Sequence, residues 1–94
     1  MGPTIDWVVL TTGDRDDDLV AALNSLATHL QPGERVHLVL NGAGLTPPGP
    51  LRLEHAVADA LHVIHAGENL GIPGGRNVGA AASEADVVAF LDDD

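Results

Sequence analysis

Short apolar runs alternate along this chain with stretches whose apolar residues recur every three or four positions. The first run, Ile5 to Leu10, is rich in β-branched residues, with Pro3 before it and Thr11-Thr12-Gly13-Asp14 after it. It predicts a strand buried on both faces, as in a parallel sheet. Leu19, Leu23, Leu26 and Leu30 then fall at helical spacing, with Val20 and Ala27 widening the stripe. They predict an amphipathic helix, capped by Asp14, Asp16 or Asp17 and stopped by Gln31-Pro32-Gly33. Val36 to Leu40 predicts a second strand, closed by a turn at Asn41-Gly42. Ala43 to Pro50 is rich in proline and glycine and reads as a loop. In Leu51 to Ala60, the positions Leu53, Ala56, Val57 and Ala60 suit a short helix, and Leu61 to His65 predicts a third strand. A glycine turn follows (Gly71, Pro73, Gly74, Gly75), then a short small-residue helix, Asn77 to Ser83. Val87 to Leu91 predicts a fourth strand, which runs straight into Asp92, Asp93 and Asp94.

Strands alternating with helices imply βαβ units. The expected fold class is therefore α/β, a Rossmann-like, mostly parallel sheet with flanking helices and right-handed crossovers. Ligands of such sheets gather at the carboxyl ends of the strands, where strand order reverses. Those ends are Thr11-Thr12, Asn41-Gly42, Ala66-Gly67 and Asp92 to Asp94, and each is polar or contains glycine.

Composition narrows the ligand. The 94 residues suit one small domain, and 45% hydrophobic content is enough for a core. Fourteen acidic residues against four basic ones, all arginine, give a net charge of −10. That balance argues against a nucleic-acid face and against an anionic membrane surface. Without cysteine there is neither a disulfide framework nor a thiolate zinc site. No run approaches the roughly 20 apolar residues of a membrane span, and the N-terminus lacks the pattern of a signal peptide. The expected setting is cytoplasmic.

An acidic chain that binds phosphates needs a cation, and adjacent aspartates after a strand supply hard oxygen ligands for one. Gly71, Gly74 and Gly75 follow neither the dinucleotide-binding nor the Walker spacing. A glycine turn opening a helix still offers backbone N–H groups to an anion, and Arg76 adds a fixed charge. The five histidines do not form a zinc pattern. His62 and His65, three apart on a strand, point to opposite faces, while His29, His37 and His55 are scattered. No serine, cysteine or lysine stands in a nucleophile motif.

Asn69-Leu70-Gly71, Gly75-Arg76-Asn77 with Gly79, and Phe90-Leu91-Asp92-Asp93-Asp94 closely resemble the nucleotide-sugar half of family 2 glycosyltransferases. Val8-Val9-Leu10 into Thr11-Thr12, and Leu23-Asn24-Ser25-Leu26, fit the same pattern. The resemblance covers essentially the whole chain and is most specific in the final third. It implies a GT-A fold and an inverting transfer from a nucleoside-diphosphate sugar to a hydroxyl acceptor, with a metal held by an Asp-x-Asp motif. Asp92 and Asp94 would then hold Mg²⁺ or Mn²⁺, with Asp92 also facing the ribose or a metal-bound water. Gly75 and Arg76 would approach the nucleotide, and Thr11 or Thr12 would border the base. Where the family often has Asp-Asn-Gly-Ser after its second strand, this chain has Leu40-Asn41-Gly42-Ala43, so Asn41 is expected to substitute in binding the base. The family places its acceptor site and general base after the Asp-x-Asp motif. Residues 1–94 are therefore expected to be a partial donor domain, truncated after the fourth strand, with the acceptor half absent. Two other classes compete with this reading. One is a non-catalytic nucleotide- or metal-binding module or inactive remnant. The other is a nucleotidyltransferase, whose glycine-arginine loop would directly follow the first strand.

Overall fold

The computed structural model describes residues 2–91. Four strands form one sheet: β1 (Ile5–Thr11), β2 (Val36–Leu40), β3 (Leu61–His65) and β4 (Val87–Leu91). Their order is β3-β2-β1-β4, and every neighbouring pair is parallel. The first three strands thus step outward in one direction, and β4 returns to the far side of β1. The gap between β1 and β4 is the point where strand order reverses, the expected ligand position in an open α/β sheet.

The sheet owes its form to apolar runs that require cover on both faces. All five residues of β2 are buried. On one face Val9, Val36, Leu38 and Leu40 pack against Leu19, Leu23 and Leu26 and against Leu53 and Val57, with Trp7, Leu61 and Val63 at the margin. Leu19, Leu23 and Leu26 come from helix α1 (Asp16–Ser25) and the turn after it. Val57 comes from α2 (His55–Ala60). On the opposite face, Val8 and Leu10 of β1 and Val39 of β2 meet helix α3 (Gly71–Ala81).

The strands match the sequence pattern closely, and the helices depart from it in three places. First, α1 ends at Ser25, and the leucine stripe continues through turns closed by i→i+3 bonds: Leu26 N–H to Leu23 O, Ala27 N–H to Asn24 O and His29 N–H to Leu26 O. Tightened last turns satisfy carbonyls that an abrupt helix end would leave open. No side chain caps the start of α1. Asp16, Asp17 and Asp18 lie in its first turn, where their charge favours the helix dipole.

Second, the expected helix over residues 51–60 is split into a short 3₁₀ turn (Pro50–Arg52) and α2. The break is held by Asn24, whose Nδ2 donates to Arg52 O at 3.1 Å and whose Oδ1 accepts from Glu54 N–H at 2.8 Å.

Third, the glycine-rich segment expected as a turn is itself helical, because close packing requires those glycines. Gly75 and Gly79 are buried four residues apart on one face of α3. A Cβ on Gly79 would overlap Val8, and one on Gly75 would meet Leu10 at 2.5 Å. Only a bare backbone lets the helix sit this close to β1. Pro73 falls in the first turn, where a missing N–H costs nothing.

Candidate functional site

The carboxyl ends of β1, β2 and β3 share one rim of the sheet, with the start of α3 above them. Thr11, the last residue of β1, is buried. Its hydroxyl accepts from Gly13 N–H at 3.1 Å, and its carbonyl accepts from Asn41 N–H at 2.8 Å. Thr12 is exposed and donates its hydroxyl proton to Asp14 Oδ2 at 3.2 Å. The two threonines therefore divide the work: Thr11 fixes the turn, and Thr12 faces outward.

Asn41 is buried at 3% exposure, and both ends of its amide are engaged. Oδ1 accepts from Leu70 N–H at 2.9 Å, and Nδ2 donates to Gly71 O at 3.1 Å. Asn69 Oδ1 accepts from Gly71 N–H at 2.8 Å, so residues 69–71 are held from two sides. Gly71 itself turns the chain at φ +74°, in the left-handed region that glycine enters without strain.

Gly75 is buried between Leu10 and the Asn41 amide, so its lack of a side chain serves helix–sheet contact. Arg76, the next residue, is half-buried, with its guanidinium carbon 5.1 Å from the centre of the Phe90 ring in β4. A cation over an aromatic face is attracted by the ring quadrupole. The contact places a permanent positive charge over the end of β4, beside the β1/β4 reversal.

The structure thus brings Thr11, Asn41 and Gly75 into one contiguous group, with Thr12 and Arg76 at its borders. Asp92 and Asp94 lie outside the described residues. Among the described residues no group of three or more His, Cys, Asp or Glu could hold a metal ion. Carboxylate oxygens alone suit Mg²⁺ or Mn²⁺ in donor chemistry, and in the sequence Asp92 and Asp94 follow β4 directly.

A second polar centre at the opposite end of the sheet escapes the sequence pattern. Asp6, 5% exposed, accepts from Arg35 N–H at 2.8 Å and from the Ser83 hydroxyl at 2.7 Å. It also receives His37 Nε2 at 2.9 Å, while His37 Nδ1 lies 2.9 Å from His62 Nδ1. Burial alone would raise the Asp6 pKa. Hydrogen bonds from His37, Ser83 and the Arg35 amide, with attraction to His37, outweigh it, and the carboxyl titrates below its ordinary value. Asp6, Arg35, His37 and His62 border a cavity of about 570 Å³. His37, expected to stand apart from the other histidines, contacts His62, because the two are register partners in β2 and β3. The available signal was a polar residue inside each of three otherwise apolar runs.

The sequence profile of glycosyl transferase family 2 matches residues 7–94. No curated protein matches the chain.

Proposed function

The chain belongs to glycosyl transferase family 2, and from that premise we propose that it forms the donor half of a metal-dependent, inverting glycosyltransferase. Its substrate would be a nucleoside-diphosphate sugar, and the sugar would pass to a hydroxyl acceptor. The observation that carries this reading is Arg76 over Phe90 at the β1/β4 reversal, two positions before Asp92 in sequence.

In this reading the exposed Thr12 hydroxyl borders the base, and Thr11 holds the turn that places it. Arg76 offers planar, paired donors to the diphosphate or to a base carbonyl, and keeps its charge at any working pH. Asp92 and Asp94 would hold Mg²⁺ or Mn²⁺, which supplies charge neutralisation for the diphosphate. In an inverting displacement the acceptor oxygen bonds to the anomeric carbon as the bond to the diphosphate oxygen breaks, and a general base removes the acceptor's proton. None of the described residues is assigned that role.

Calorimetric titration of the chain with UDP and with GDP, each in Mn²⁺ and in EDTA, tests the proposal. Saturable binding of one nucleotide in Mn²⁺, weakened in EDTA, is expected. Absence of binding in both conditions rejects it.

A further inference from the structure

Asn41 stands at the end of β2, and the polar groups it engages belong to two other parts of the rim. Its backbone N–H reaches Thr11 of β1, and its amide brackets Leu70 and Gly71 at the start of α3. The same Nδ2 lies 3.0 Å from where a Cβ on Gly75 would be, and the next residue along the helix is Arg76. One buried side chain therefore ties the ends of β1 and β2 to the helix that carries the rim's arginine.

A direct ligand contact by this amide would disturb that arrangement. Releasing Oδ1 or Nδ2 would break one of the two part-buried bonds that hold the Leu70 N–H and the Gly71 carbonyl, and free an otherwise exposed segment to move. The amide is also asymmetric in the way the segment requires, with an acceptor toward an N–H and a donor toward a carbonyl. Aspartate at this position keeps the acceptor but turns a carboxylate oxygen toward the Gly71 carbonyl. Alanine removes both bonds.

We propose that Asn41 is a positioning residue for donor binding. It fixes residues 70 and 71, and through them the placement of α3, so that Arg76 meets the nucleoside diphosphate; Asn41 itself does not touch the ligand. The inference rests on the donor-half reading given above.

The test uses UDP and GDP with Mn²⁺ as probes, titrated into the wild-type chain, Asn41→Asp, Asn41→Ala, Arg76→Lys and the double variant Asn41→Ala/Arg76→Lys. Circular dichroism melts accompany each titration. Each Asn41 variant is expected to raise Kd about tenfold at unchanged stoichiometry, the scale of one hydrogen bond. The double variant is expected to lose less than the product of the two single effects, because Asn41 acts through Arg76. A merely structural Asn41 would lower the fraction of competent protein, and hence the stoichiometry, with Kd unmoved; that result overturns the proposal. Fully multiplicative effects, or loss of folding in both Asn41 variants, overturn it too. Wild-type affinity that is insensitive to Asn41 removes this inference alone. A wild-type chain with no affinity for either nucleotide removes the donor reading, and this inference with it.

Discussion

The Arg76 guanidinium rests 5.1 Å from the centre of the Phe90 ring, joining the second turn of α3 to the edge strand β4. Phe90 is 44% exposed, so the pair sits at the surface of the rim rather than in the core. Arg76→Lys keeps the charge but loses the planar paired donors. It is expected to weaken nucleoside-diphosphate binding by about 1–3 kcal/mol, the range of a charge-assisted hydrogen bond. The melting temperature should move little. Calorimetry paired with a thermal melt checks both, and a large drop in melting temperature at unchanged affinity would make Arg76 structural.

The proposed metal dependence rests on charge. In the donor-half reading, Asp92 and Asp94 of a chain of net charge −10 would repel a diphosphate unless a cation lay between them. Asp94→Asn should therefore reduce the gain in nucleotide affinity that Mn²⁺ gives, while affinity in EDTA rises, because one repelling carboxylate is gone. An undiminished Mn²⁺ effect in both Asp92→Asn and Asp94→Asn would place the cation elsewhere.

The glycine face of α3 gives a stability prediction. In Gly79→Ala the new methyl meets both Val8 side-chain methyls and Val39 of the sheet. Overpacking of this kind costs about 1–3 kcal/mol, against a gain in helix propensity of about 1 kcal/mol. The net effect should be destabilising. Gly49→Ala is the control, since nothing lies within 4 Å of its Cβ position and its φ of −62° suits any residue. It should change stability by no more than about 0.5 kcal/mol. Urea midpoints of the two variants separate these outcomes.

The Asp6 network predicts a pH dependence. The folded carboxyl titrates below its ordinary value, so the unfolded chain takes up its proton first as pH falls. The stability this contributes is fully present above the unfolded pKa, about 3.9, and disappears as pH drops through the lower folded value. Asp6→Asn should remove that acid limb from a plot of urea midpoint against pH. It should also lower stability at neutral pH by about 1–3 kcal/mol, because His37 and Ser83 lose a charged acceptor. An unchanged acid limb would assign it to other carboxylates.

All four strands were legible to within a residue, because each is a mostly apolar run, interrupted only by Asp6 in β1, His37 in β2 and two histidines in β3, and a parallel sheet needs little else. The rim followed from them, since parallel strands put Thr11 and Asn41 at the same end. The local signals failed where tertiary contact overrides them. Gly74 and Gly75 punctuate a sequence read alone, yet both belong to a helix that packs Gly75 against Leu10 and Asn41. Asn24 and Asn41 are ordinary polar residues in the sequence. Each brackets a distant backbone segment with both ends of its amide, and no local pattern encodes such pairings. Asp6, His37 and His62 meet only through strand register, which a one-residue slip would abolish.

The strand order also governs how the domain comes together. β1 lies inside this four-stranded sheet and is made before the other three strands, yet one of its two neighbours is β4. Thr4 and Asp86, which bond beside that pairing, are 82 positions apart. While β2 and β3 assemble on one edge of β1, the other edge stays open until β4 arrives. Non-local pairing of this kind slows folding and prolongs the exposure of an apolar strand to other chains. The nascent chain is therefore most vulnerable to aggregation after β3 is made and before β4 closes on β1.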